Sequence, residues 1–465
     1  MVERRRGTEG RSPRLFTPVH GTRMHRKTHP RQLASVALFT GLALALAACT
    51  SYGSDYPNST FNHTTEVNAA IDSLWDKLLF WGTLVFVLVE GILLYTIIRF
   101  RRRSDADEPK HVHGNTALEI AWTMAPAVIL GFIAIPTVRT IFRTQARAVP
   151  NALQVEVVGH QWWWEFRYPQ YTQRTATGRV DTLVTANDLY LPIGRTVNFS
   201  LKTKDVLHSF WIPQLGGKRD LISNHTNYLW FTPDSSLRTS VFNGSCNEYC
   251  GASHANMKFR TFVVTSAEFE GWVAHQLTPA ALTAPAAPPT TTPAVDTAQR
   301  VGTPATQTAA TAGAAAPAAA ATQPAGYTFP IEALPSYARP STPLPAALTF
   351  PRGVTGDAQR GRELFGRSAC LGCHAIRGTV AASPIGPNLT HIATRSTIGA
   401  GLYPNDAQHL ALWIKNARRM KPGSAMPTLG LGQRDPITGA TVTQALGGLS
   451  DQQIADLVAY LQALR

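Results

Sequence analysis

Asn243 to Met257 reads N-G-S-C-N-E-Y-C-G-A-S-H-A-N-M. Cys246, Cys250, His254 and Met257 fall in this one short stretch. Two thiolates, an imidazole and a thioether make a soft ligand set, which selects copper over magnesium, calcium or manganese. One more imidazole would complete a two-copper site, and His208 in the upstream run D-V-L-H-S-F can supply it. Both sulfurs then bridge both metals, and each copper takes one histidine. Met257 and the backbone carbonyl of Glu248 remain as weak axial ligands. Two blander readings use the same residues. A closed zinc site also takes Cys and His at such spacing, although a thioether suits zinc poorly. A Cys246–Cys250 disulfide fits an oxidising compartment, but it leaves His208, His254 and Met257 without a role.

The sequence around the loop is β-rich. From Leu153 to about Val273, runs such as V-E-V-V, W-W-W-E-F-R-Y, T-V-N-F-S-L, Y-L-W-F-T and M-K-F-R-T-F-V-V alternate with turn signals. That pattern predicts an all-β sandwich or barrel, with residues 150–275 as its extent. A sandwich offers loops on a rigid support, which suits a metal whose geometry must barely move.

Upstream, Leu78–Ile98 and Ala117–Phe142 are apolar and long enough to span a bilayer. The spans are expected at residues 78–99 and 117–142, after a short external segment at 49–77. Arg99, Arg101, Arg102 and Arg103 lie at the start of the loop between them. They place that loop, residues 100–116, on the cytoplasmic side and both flanking ends outside. Two carboxylates, Glu90 and Glu119, lie within the spans, where such groups are costly and face protein or water.

Residues 1–48 read as an export signal. A basic head precedes the apolar run Leu33–Ala48, which is shorter than the ~20 residues a span needs and ends L-A-A-C at Cys49. Met24 would open a signal of more ordinary length. The formal charge of the whole chain is +14, and the nine Lys or Arg and two Glu before Gln32 account for +7 of it. The basic balance therefore does not point to nucleic acid, and no basic face interleaved with aromatics occurs in a folded region.

Downstream, Gln276 to Pro351 is rich in Ala, Pro and Thr and is expected to be a flexible tether. Residues 352–465 form a separate compact unit containing C-L-G-C-H, Cys370 to His374. C-x-x-C-H is the attachment signature of c-type haem: two thioethers to the haem and a histidine on the iron. M-K-P-G-S-A-M-P offers Met420 and Met426 as a sixth ligand. Methionine with histidine raises the haem potential. The apolar positions Ile454, Leu457, Val458 and Leu461 mark one face of a final helix.

The copper loop, the two spans and C-x-x-C-H together resemble subunit II of cytochrome c oxidase, fused to a cytochrome c domain. The resemblance implies a multidomain membrane protein: a two-helix transmembrane hairpin, a Greek-key cupredoxin domain with the binuclear copper (CuA) centre, a flexible linker and an all-α class I cytochrome c domain. It implies that Trp162, first in the W-W-W run, is the surface point where electrons enter. It assigns Glu119 to the mouth of a proton-uptake path and the Glu248 carboxylate to a magnesium ion shared with subunit I. Met426 becomes the haem's methionine ligand, Pro387 in G-P-N-L holds the His374 ring, and Cys49 becomes the lipidated first mature residue.

The implied reaction takes electrons from cytochrome c or a similar donor, through haem c and CuA, to subunit I. Oxygen is reduced there and protons are pumped. The implied setting is a bacterial plasma membrane, with the copper and haem domains outside and the other oxidase subunits as partners. A CuA-containing nitric oxide reductase subunit and a membrane-anchored copper carrier without turnover are the alternatives.

Overall fold

The computed structural model describes residues 40–41, 56–102, 104, 113–145, 150–174, 178–282 and 327–465. Cys49, the Met24 start and most of the central Ala/Pro/Thr stretch lie outside them.

Two long helices come first, α1 (Glu66–Arg99) and α2 (Thr116–Gln145). Both are long and apolar enough to cross a membrane. Their apolar side chains, Leu84, Phe86, Ile92, Leu130 and Phe132 among them, are exposed; a soluble fold would bury such stripes. The first helix begins twelve residues before the apolar run, because Thr65 caps it by accepting from the Asn68 amide. That extra length docks on the β domain. Thr65 Oγ1 donates to the Leu215 carbonyl (2.6 Å) and Asn68 Nδ2 to that of Pro213 (2.7 Å). Trp230 Nε1 donates to the Arg143 carbonyl near the end of α2 (3.2 Å). The start of α1 and the end of α2 therefore both meet the β domain, as a hairpin requires.

Among the described residues, ten strands follow in the β domain: β1 (Leu153–His160), β2 (Trp163–Arg174), β3 (Val180–Ala186), β4 (Asp188–Pro192), β5 (Val197–Thr203), β6 (His208–Trp211), β7 (Arg219–Leu221), β8 (Asn227–Phe231), β9 (Ser240–Cys246) and β10 (Lys258–Val264). They make two five-stranded sheets, ordered β3-β2-β1-β5-β8 and β4-β10-β9-β6-β7. Between the sheets lies an aromatic core. Phe210 stacks on Phe259 at 5.0 Å, and Trp164 meets their edges at 5.7 and 5.5 Å. Gly244 on β9 leaves room for this core, since any Cβ there would overlap the Phe259 ring.

The β region ends at Val264, earlier than the expected Val273, because Thr265 and Glu268 form a capping box that starts α3 (Ser266–Leu277). Trp272 of this helix stacks on Tyr190 at 4.4 Å.

The last part of the stretch expected to be a tether is packed. Residues 327–351 pack along the β domain and into the next one. Phe329 meets Phe262 at a tilt (5.0 Å), Arg260 Nε donates to the Ala338 carbonyl (2.8 Å), and Leu348 is buried in the C-terminal core.

The C-terminal unit is built on α4 (Ala358–Gly366), α5 (Ala407–Met420) and α6 (Asp451–Ala463). The final helix packs on the opening one. Arg360 grips Asp456 through Nε (3.0 Å) and Nη2 (2.8 Å), and Phe365 meets Tyr460 at 5.7 Å. Gly361 makes this approach close, because a Cβ there would strike the Asp456 carbonyl. Gly361→Val is therefore expected to cost about 1–3 kcal/mol by overpacking, seen as a lower midpoint for thermal loss of helical circular dichroism.

Candidate metal and haem sites

The strand register sets the copper loop. Phe210 of β6 pairs with Cys246 of β9, and Ser245 of β9 pairs with Lys258 of β10. The segment from Cys246 to Met257 thus closes a hairpin, with His208 at the near end of the neighbouring strand. At its neck the Cys246 amide donates to the Met257 carbonyl (3.0 Å).

His208, Cys246 and Cys250 gather their ligand atoms within 4.8 Å of one another, all in buried residues. The two sulfurs are 3.8 Å apart and both cysteines are free, which excludes a disulfide here. His208 Nδ1 faces Cys246 Sγ at 3.8 Å, and His254 Nδ1 faces Cys250 Sγ at 3.6 Å. Met257 Sδ lies 3.9 Å from Cys250 Sγ, and the Glu248 carbonyl is 3.3 Å from Cys246 Sγ. Each sulfur thus has its own imidazole and one weaker donor.

The electrostatics fit a cation. Cys250 hydrogen-bonds the Cys246 sulfur and, with His208, holds that thiol far below its ordinary value. The same sulfur, together with burial, pushes Cys250 up. The pair competes for one proton in a buried place, and a thiophilic cation would replace that proton.

Asp205, which sequence reading passed over, orients the site. Its Oδ1 accepts from His208 Nε2 (2.8 Å), so the Nδ1 lone pair points toward the sulfurs. Burial lowers the affinity of His208 for a proton, but Asp205 and Cys246 outweigh it and raise the pKa. Asp205 Oδ2 also accepts from the Gln161 amide (2.7 Å). The signal was there in K-D-V-L-H, where a carboxylate stands three residues before the ligand.

Trp162 is half-buried beside the loop. Its Nε1 donates to the Cys250 carbonyl (2.9 Å), and Gln161 Nε2 donates to the same oxygen (2.8 Å). Its neighbours differ: Trp164 is fully buried in the core, and Trp163 stacks on His160 at 4.1 Å. Glu248 is exposed at the loop surface, as is Glu119 in the first turn of α2, while Glu90 is half-buried within α1.

In the C-terminal unit, Cys370 and Cys373 flank a tight turn, and the Cys373 and His374 amides both donate to the Cys370 carbonyl (3.2 and 3.0 Å). His374 Nδ1 lies 2.8 Å from the Pro387 carbonyl. A carbonyl only accepts, so Nδ1 carries the proton and Nε2 is left as a ligand. Gly386 allows this closeness, since a Cβ there would come within 2.9 Å of the ring. Met420 is buried at the end of α5, and Met426 is half-buried against the core of this unit.

Comparison with known proteins agrees with these features. Residues 45–140 match the family described as Cytochrome C oxidase subunit II, transmembrane domain, and residues 153–265 match its periplasmic domain. Residues 358–465 match Cytochrome c. The chain is 29% identical over 388 residues to cytochrome c oxidase subunit 2 of Alkalihalophilus pseudofirmus, covering 82% of this chain and 83% of that one. It is 27% identical over 391 residues to the Bacillus subtilis subunit, covering 80% and 82%. It is 32% identical over 213 residues to the probable cytochrome c oxidase subunit 2 of Rickettsia bellii, covering 43% of this chain and 77% of that one. The chain belongs to the cytochrome c oxidase subunit II family, with a cytochrome c domain at its C-terminus, and is part of an oxidoreductase that transfers electrons.

Proposed function

We propose that this chain is the electron-accepting subunit of a respiratory haem–copper oxidase. Electrons from reduced cytochrome c reach its haem domain, pass to the copper domain, and leave for subunit I, where oxygen is reduced and protons are pumped. The observation that carries the reading is the paired sulfur site, with one imidazole per sulfur, in the same chain as a C-x-x-C-H unit.

Family membership implies copper in the β domain and haem in the C-terminal one; when bound, these groups take up and release single electrons. The protein holds them. Cys246, Cys250, His208 and His254 would hold the copper, with Met257 and the Glu248 carbonyl as weaker donors. Cys370 and Cys373 would tether the haem, His374 and Met426 would be its ligands, and the Pro387 carbonyl fixes the His374 ring. Asp205 keeps His208 aimed. Because Cys246, Cys250 and His208 are buried and hydrogen-bonded, they move little when the charge on the site changes, which favours fast transfer.

Trp162 is the surface residue where electrons come onto the copper domain. The exposed Glu248 carboxylate is placed to meet a magnesium ion at the boundary with subunit I. Glu119, near the inner end of α2, opens a proton path in subunit I. Lipid on Cys49 would add an anchor beside the two spans. The copper and haem domains then lie on the outer face of a bacterial plasma membrane.

The purified complex supplied with reduced cytochrome c is expected to consume oxygen. Consumption of nitric oxide in place of oxygen would overturn the reading. So would copper that exchanges freely with chelator without turnover, the behaviour of a carrier. Asp205→Asn keeps the shape of the side chain and weakens its hold on His208. It is expected to lower copper affinity about 10–100-fold, measured by chelator competition, with the haem spectrum unchanged.

A further inference from the structure

The haem domain is seated on the copper domain through the segment just before Met426. Lys421 is 3% exposed. Its Nζ donates to the backbone carbonyl of Trp162 and to that of Gly399 (3.1 Å). The Pro422 carbonyl accepts from Ser253 Oγ (2.6 Å), next to His254. Gly423 has φ +81°, and a Cβ there would lie 2.5 Å from the Trp162 ring, so the indole rests on bare backbone. On its other side the same indole donates to the Cys250 carbonyl. Contacts elsewhere fix the same pose. Arg377 Nη1 donates to Gln173 Oε1 (2.9 Å) and to the Leu277 carbonyl (3.1 Å), and His391 Nε2 donates to the Thr278 carbonyl (3.1 Å).

A buried amine is costly unless its protons are bonded. Lys421 spends its bonds on carbonyls, one of them Trp162's, rather than on a carboxylate. That chemistry fixes position and adds no ion pair. Gly423 does the complementary work by removing the side chain that would hold the indole away.

We propose that Lys421 and Gly423 are positioning residues that seat the haem domain on the Trp162 face. In the seated state this chain's own haem domain covers the point where electrons come onto copper. A separate donor protein then reaches the haem and not Trp162. A continuous connection runs from the Met426 segment through the van der Waals contact of Gly423 with the Trp162 ring to the Cys250 carbonyl, and a second runs through the Pro422–Ser253 hydrogen bond beside His254. The inference rests on the assignment of haem and copper to these two domains. The step it concerns balances as one electron lost by ferrous haem and one gained by the oxidised copper pair, with no further reactant.

The test uses the full chain in its purified complex. Brief acylation with an amine-reactive ester, followed by mass spectrometry, compares Lys421 with the exposed Lys204. Seating predicts that Lys421 reacts at least tenfold more slowly. Lys421→Met is then compared with the wild type by hydroxyl-radical footprinting of Trp162 and by flash reduction of the haem. Trp162 is expected to become more oxidisable. Haem-to-copper transfer is expected to slow at least tenfold while the haem and copper absorption bands and copper content stay unchanged. Equal acylation of Lys421 and Lys204, or unchanged transfer and Trp162 protection in the variant, overturns the proposal. The acylation arm needs no variant to fold. Absence of copper or haem would strike the functional reading instead, because Lys421 protection is read without either.

Discussion

Two sulfur atoms 3.8 Å apart, at the neck of a β hairpin, are the constraint on which the rest of the structure depends. Thiolates so close repel, and the buried pair resolves this by sharing one proton until a cation takes its place. Such a pair persists only where the backbone leaves it no room to separate. Here β9 and β10 hold the two ends of the loop in register, and the Cys246 amide closes its neck on the Met257 carbonyl. The aromatic core beneath, built on Trp164, Phe210 and Phe259, gives those strands a close-packed support.

The haem domain brings its own rigid ligand turn to this support. The β domain is fixed at the outer ends of both spans through Thr65, Asn68 and Trp230. The chain after residue 327 runs along the same domain before entering the haem unit, burying Phe329, Leu334 and Ala338 on the way. A donor held in the same chain meets its acceptor at a high effective concentration. The seated interface adds orientation, which a tether alone does not supply.

Much of this was legible in the sequence, because the informative residues have few alternative uses. Cys246, Cys250, His254 and Met257 announce a soft metal site by type and spacing, and C-x-x-C-H does the same for haem. The two spans follow from apolar length. What stayed hidden depended on residues with many uses. Asp205 is an ordinary loop carboxylate until its distance to His208 is known. Lys421 looks like a surface lysine until its burial is known. The helical end of the β domain was hidden because Phe269, Trp272 and Val273 are residue types enriched in strands. The stretch 327–351 reads as linker by composition, yet a few apolar residues among its prolines suffice to pin it down.

The central claim is a two-copper, one-haem electron relay in a single chain. Elemental analysis of the purified, folded chain in its complex tests it most directly, provided the associated subunits' own metals are subtracted. The account predicts two copper atoms and one haem iron belonging to this chain. Zinc in the sulfur site, or copper absent from well-folded material, would contradict it.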